Sequence, residues 1–304
     1  LKAAYPCKSY GQGRINPAYF YGVFDPNDMR RDVSITMTGS NGKGVEKLIP
    51  FVPNSKAEGG GLTLNKWDEN RQANPWVAAQ RKSGINGPYM RMSEVYLGYA
   101  EVCAALGDVV TGKQYLKTVR ERSFPQGLAN TDAFIASFGN DLVRAIIEER
   151  GFEYAGEGDR RWTLIRSGYL PEDIKRIKDM TKAMMDGLAT KGYYEFENGN
   201  IISAYIWTKL VDAKTIYGHR LTAQCPTDKV NDPVLYPGWR GQKDNWEEMG
   251  LNYGSSTPAT NLAIKGLFEI VSEEEAASLE SQGYAKVNWG IDLVDYRDEY
   301  DKYL

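Results

Sequence analysis

Apolar side chains recur through residues 88–150 at the spacing of a helix. Val95, Tyr99, Val102 and Leu106 stand four, three and four apart. That spacing predicts one inward stripe on a helix opened by Pro88 and stopped at Gly107-Asp108. A second helix, over about Thr111–Arg122, carries Tyr115, Leu116 and Val119 and ends at Ser123-Phe124-Pro125. The short turn between the two predicts an antiparallel helical hairpin. Asp141 caps a third helix that turns Leu142, Ile146 and Ile147 inward. Gly156-Glu157-Gly158-Asp159 forms a tight bend. Pro171-Glu172-Asp173 opens a basic amphipathic helix to about Gly187, whose charges read as a solvated face.

Outside this stretch the period changes. Residues 1–87 mix turn chemistry with short strand-like pieces. Val33-Ser34-Ile35-Thr36-Met37 is one, and Asn41-Gly42 behind it predicts a hairpin turn. Residues 190–260 are again loop-rich and aromatic, with a second hairpin around Asn198-Gly199. Thr260 starts a short helix through Ile270, and Ser272-Glu273-Glu274-Glu275 caps a further one. The expected organisation is one continuous domain, 1–304. It comprises a loop-rich variable part (1–87), a helical core (88–190), and a loop-rich part with closing helices (191–304).

Composition narrows the chemistry. The chain has 304 residues and 42% apolar side chains, enough to bury a core. Its 37 basic and 40 acidic residues leave a formal charge of -3, so no broad basic field exists to neutralise nucleic-acid phosphates. One histidine, His219, excludes a zinc hydrolase built on several. The cysteines Cys7, Cys103 and Cys225 are odd in number and far apart, which is no disulfide framework. Cys103 reads as core packing. No apolar run is long enough to span a membrane. The chain begins at Leu1 with no leader pattern, so a processed or cropped chain is expected, and missing targeting signals carry no weight. Cys7 follows Tyr5-Pro6 and is a poor lipidation candidate.

Glu148, Glu149, Glu153, Glu157 and Asp159 form an acidic cluster, the raw material of a glycoside hydrolase. Every one of them has an arginine close in sequence, among them Arg150, Arg160, Arg161 and Arg166. An arginine partner lowers a carboxylate's pKa and spoils it as a general acid, so a structural ion-pair network is expected. On the first helix, Arg91 and Glu94 are placed to pair with each other. Glu101 returns to the same side, and if that side packs on the Arg120/Arg122 helix, charged pairs would fix the register of the hairpin. Asp25-Pro26-Asn27-Asp28 and Asn231-Asp232 read as Asx turns rather than calcium loops. No metal or cofactor is expected.

Aromatics are more telling. Seven Trp and 20 Tyr fall heavily in the loop-rich parts. A ring can cover the flat C–H face of a sugar while amides, carboxylates and guanidinium groups bond its hydroxyl rim. Tyr21, Trp67, Trp76, Trp239 and Trp246, with Arg240 and Asn245, are the candidate ligand-binding residues.

The helix pair beginning Tyr89-Met90-Arg91-Met92-Ser93-Glu94-Val95-Tyr96-Leu97 and continuing through Gly107-Asp108 to Tyr115–Arg122 carries a resemblance. So do Ile146–Ala155 and the run Gly158-Asp159-Arg160-Arg161-Trp162-Thr163-Leu164-Ile165-Arg166. In order and spacing these resemble the SusD/RagB family of Bacteroidetes outer-membrane nutrient-binding lipoproteins, over roughly a quarter of the chain. Tyr236-Pro237-Gly238-Trp239-Arg240-Gly241-Gln242 fits a loop of some members. The resemblance implies a mainly α, SusD-like fold of tetratricopeptide-like helix pairs with long loop-rich segments and a few short strands. It implies no enzymatic activity. It implies non-catalytic capture of oligosaccharides at the cell surface, or of peptides in the RagB branch, and delivery to a SusC-like TonB-dependent transporter. Membrane attachment would run through an amino-terminal lipid anchor that this chain lacks. Members are longer at the amino end, and their closing Asn-Pro-Gly turn is absent before Leu304, so a carboxy-terminal piece is expected. A helical-repeat interaction module and a helical glycoside hydrolase stand as the other readings.

Overall fold

Asp141 starts an almost wholly enclosed helix by accepting a hydrogen bond from the Arg144 backbone N–H. In a computed structural model, which describes residues 16–36, 38–40, 46–48, 63–64, 66, 87–212, 260–267 and 269–289, the protein is mainly helical with a few short strands. The chain divides into two compact units. One comprises residues 27–31 and 86–177; the other comprises 1–26, 32–85 and 178–304.

The first unit is helical. It holds α3 (Met92–Ala105), α4 (Val109–Glu121), α5 (Thr131–Ala136), α6 (Leu142–Glu153), α7 (Asp159–Ser167) and the start of α8 (Leu170–Lys191). Side-chain caps define the helix starts: Asp108 accepts from the Thr111 N–H and Asn130 from the Ala133 N–H. Leu97, Ala100, Leu116, Val119, Ile135, Leu142, Ala145, Ile146 and Tyr154 form the core. Gly112 lets α4 approach both neighbours, since a Cβ there would lie 3.0 Å from the Ala100 carbonyl oxygen and 3.1 Å from Leu142. Cys103 is buried, as its apolar setting predicts.

Two expectations for α3 fail. The helix begins at Met92, not at Pro88. Arg91 holds extended backbone angles as its N-cap, and residues 87–90 are exposed. The expected inward stripe faces outward: Val95, Tyr99, Val102 and Leu106 are each at least half exposed, while Ser93, Leu97, Ala100 and Cys103 are buried. Helix α3 carries two apolar stripes, and spacing alone does not say which one its neighbours cover.

The second unit contains α1 (Pro17–Gly22), capped by Asn16, whose amide also donates to Thr181 in the later part of α8. Strands β5 (Tyr193–Glu195) and β6 (Ile201–Ser203) form the predicted hairpin around Asn198-Gly199. Its turn grips α1: the side-chain amides of Asn198 and Asn200 both donate to the carbonyls of Tyr21 and Phe24. A three-stranded antiparallel sheet runs β8-β7-β9, with β7 (Tyr205–Asp212) between β8 (Thr260–Lys265) and β9 (Ala285–Asn288). The short helix expected from Thr260 is therefore a strand: a six-residue segment takes the conformation of the edge it pairs with. Helix α9 (Glu273–Ser281) has the predicted capping box between Ser272 and Glu275.

Toward the amino end, Val33 and Ser34 belong to α2 (Met29–Ser34), so the strand expected from Val33 starts only at Ile35, as β1 (Ile35–Thr36), paired with β4 (Thr63–Leu64). Strands β2 (Thr38–Ser40) and β3 (Glu46–Leu48) pair antiparallel, and the turn expected at Asn41-Gly42 lies outside the described residues. Among the described residues, no helix is long and apolar enough to cross a membrane.

Candidate functional site

The acidic cluster is an ion-pair network. Because α6 is central to the helical unit, its polar residues are enclosed with its apolar ones: Glu148, Glu149, Arg150 and Glu153 are all buried. Each carboxylate is answered. Glu148 accepts from Arg160 at 2.8 Å and Arg176 at 2.9 Å, and Asp173 joins the same two arginines. Glu149 takes Arg30 at 2.6 Å and Arg120 at 3.0 Å. Glu153 collects Arg122 at 2.5 Å, Arg91 at 2.6 Å and Arg30 at 3.1 Å. Arg91 also binds Glu157, and Arg150 binds Asp159 at 2.5 Å. The guanidinium planes stack on rings as well, Arg120 lying 3.8 Å from the Phe134 centroid and Arg91 lying 4.9 Å from that of Tyr154.

Partners on α3 differ from those its sequence predicts. Arg91 goes to Glu153 and Glu157 rather than Glu94, and Glu101 pairs with Arg166 rather than with α4. Arg120 and Arg122 are taken by α6. Asp173 and Arg176 on α8 are likewise drawn into the network rather than lying on a solvated face. The Asp25–Asp28 turn is structural at its end, since Asp28 is buried against Arg30 at 2.6 Å.

This environment shifts the carboxylates in different directions. Burial opposes ionisation of Glu153, yet Arg30, Arg122 and Arg91 hold it down to about 2. Burial also works against Glu148, and Arg160 with Arg176 overcome it, so its pKa falls. Glu149, fully enclosed and close to Asp28, is pushed up by burial despite Arg30 and Arg120. Burial raises the Tyr154 phenol to about 12 while its hydroxyl donates to Ser93. Glu148 and Glu153 are thus anions held by fixed cations, an arrangement that secures α6 and offers no proton at neutral pH.

Of the candidate ligand-binding residues, Trp67, Trp76, Trp239, Arg240, Asn245 and Trp246 lie outside the described residues. So do His219, Cys7 and Cys225. Tyr21 is described, and its expected role fails. It has no exposed surface, because α1 packs its aromatic side inward and the Asn198/Asn200 turn closes on its carbonyl. A ring in that position cannot stack on a sugar. Trp207 and Trp289 are also interior, and the Trp289 indole N–H donates to the Ser203 carbonyl at 2.5 Å. Trp162 on α7, named in the family-like run but not among the candidate ligand-binding residues, is 69% exposed. Its signal lay in the helical period: Thr163 and Leu164 face inward and leave Trp162 with Arg161 on the outer side. Among the described residues, no group of His, Cys, Asp and Glu is placed to hold a metal ion.

Helix pairs braced by a buried arginine–carboxylate lattice make up the helical unit. The sequence profile of the SusD family matches residues 8–237, most of the chain, and the protein belongs to the SusD family. The chain is similar to the SusD-like protein P25 of Formosa agariphila, with 28% identity over 160 residues. That match covers 52% of this chain and 26% of the relative, so the chain spans about a quarter of the relative's length. No solved structure matches the chain.

Proposed function

We propose that this protein holds oligosaccharides without converting them and passes them to a TonB-dependent transporter, from a lipid-anchored position on the cell surface. The observation that carries the reading is the SusD profile match across residues 8–237. The fate of the carboxylates supports it, because Glu148 and Glu153 are committed to arginines and poorly suited to general-acid work. Trp239 and Trp246, with Arg240 and Asn245 beside them, are proposed to carry the sugar, and Trp67 and Trp76 to extend the contact. Each stacked ring contributes about 1–2 kcal/mol, so several together give binding in the micromolar-to-millimolar range, about 4–8 kcal/mol.

The test is a panel of plant, host and microbial glycans followed by tryptophan fluorescence and calorimetry. The expected result is reversible quenching by one glycan class, weakened about tenfold by Trp239→Ala or Trp246→Ala, with no reducing sugar released. Release at enzymatic rates refutes the binding-only reading. Binding of peptides but no glycan moves the protein to the peptide-capturing alternative.

A further inference from the structure

A block of four side chains forms where β7 meets β9. Tyr205 stands opposite Asn288 and Trp207 opposite Lys286 in the antiparallel register, so all four leave the same face of the sheet. Two residues of strand by one strand spacing is about 7 Å by 5 Å, the footprint of one sugar ring. The Tyr205 ring is 39% exposed. It is backed by Gly192, where a Cβ would lie 2.9 Å from the ring. The Lys286 ammonium lies over both rings, 4.7 Å from the Tyr205 centroid and 5.5 Å from that of Trp207, and the residue is exposed.

Two polar atoms of this block are unsatisfied among the described residues. Trp207 is only 4% exposed, and its indole N–H has no hydrogen-bond partner. The buried side-chain oxygen of Asn288 has none either. A buried indole N–H ordinarily finds an acceptor. The indole can only donate and the amide oxygen can only accept, and the two do not bond each other. A hydroxyl group serves both, accepting from the first and donating to the second. The ammonium above them is carried on a flexible four-carbon stem and can swing aside, which opens the ring and both polar atoms together.

We infer that Tyr205, Trp207, Lys286 and Asn288 form a subsite for one pyranose ring. The sugar lays its C–H face on Tyr205. One of its hydroxyls takes the Trp207 N–H and donates to Asn288, and Lys286 folds back onto the remaining ring oxygens. The subsite shares its ligand class with the function proposed above, and rests on that reading to this extent, but it uses none of the same residues.

The experiment follows the indole N–H signals of the nitrogen-labelled 304-residue chain by nuclear magnetic resonance. The Trp207 signal is identified by its loss in Trp207→Phe. The probes are malto-, xylo-, manno- and galacturono-oligosaccharides, each at millimolar concentration. One of them is expected to shift the Trp207 signal in a saturable way. Lys286→Gln and Tyr205→Leu are each expected to weaken that saturation at least about tenfold, with an unchanged unfolding midpoint. The shift is expected to survive in Trp239→Ala/Trp246→Ala. A glycan that binds by calorimetry without moving the Trp207 signal overturns the subsite and leaves the sugar-binding reading standing. Absence of binding by every probe overturns the subsite. So does a Trp207 shift that is unaffected in Lys286→Gln, the variant that leaves both rings in place. Loss of the shift in the Trp239/Trp246 variant makes the block an adjunct of the loop residues and also overturns the proposal.

Discussion

Glu153→Gln isolates the central charge of the helical unit. Its carboxylate is buried and meets three guanidinium groups, those of Arg30, Arg91 and Arg122. Glutamine keeps the shape and one acceptor oxygen but removes the charge. Folding lowers the Glu153 pKa from 4.5 to about 2, and that difference corresponds to about 3 kcal/mol favouring the folded anion. The variant loses somewhat less, about 2–3 kcal/mol, because Arg30 retains Asp28 and Glu149 and Arg91 retains Glu157. A folded value below the unfolded one contributes stability fully above pH 4.5, and that contribution fades as pH falls toward 2. Urea denaturation followed by far-ultraviolet circular dichroism, from pH 7 down to pH 3, is expected to show the two proteins about 2–3 kcal/mol apart at neutral pH and converging in acid. Glu149, with its pKa raised, works in the opposite sense, since protonating it favours the folded state. It is present in both proteins, so the difference between them reports chiefly on Glu153. A gap that stays constant with pH would show that the penalty comes from lost packing geometry, and the electrostatic account would be wrong.

Other substitutions test the packing. Leu97→Ala removes a fully buried side chain and is expected to cost about 2–5 kcal/mol in thermal or urea unfolding, whereas Val102→Ala, on the same helix but half exposed, stays within about 0.5 kcal/mol. Equal effects would contradict the assignment of faces on α3. Gly112→Val drives a side chain into the Ala100 carbonyl and Leu142, with an expected loss of about 1–3 kcal/mol read from the unfolding midpoint. Asn200→Ala removes one of the two amides that donate to the Tyr21 and Phe24 carbonyls and is expected to cost about 1–3 kcal/mol, with faster hydrogen exchange over residues 17–24.

Signals that act over a few residues were legible without coordinates. Asp141 and the Ser272/Glu275 pair marked helix starts because an N-cap needs only a short polar side chain and the next turn's N–H groups, whereas Asp108, read only as the stop of α3, is also the cap of α4. Asn198-Gly199 marked its hairpin for the same kind of reason, since Gly199 adopts the positive φ the turn requires. The commitment of the acidic cluster to arginines was legible too, from charge type alone. Which arginine meets which carboxylate was not: Arg30 reaches Glu149 across 119 positions, and Arg166 reaches Glu101 across 65.

Exposure was decided later still. Helix α3 presents apolar residues on both sides, so its sequence predicts a helix without saying which stripe meets α4 and α6. Tyr21 sits in the same aromatic, turn-rich setting that makes a sugar platform plausible, yet α1 and the Asn198/Asn200 turn enclose it. Local chemistry determines where helices and turns start, because its partners are neighbours along the chain. Burial and ion-pair identity belong to the tertiary structure, because they depend on segments that only packing brings together.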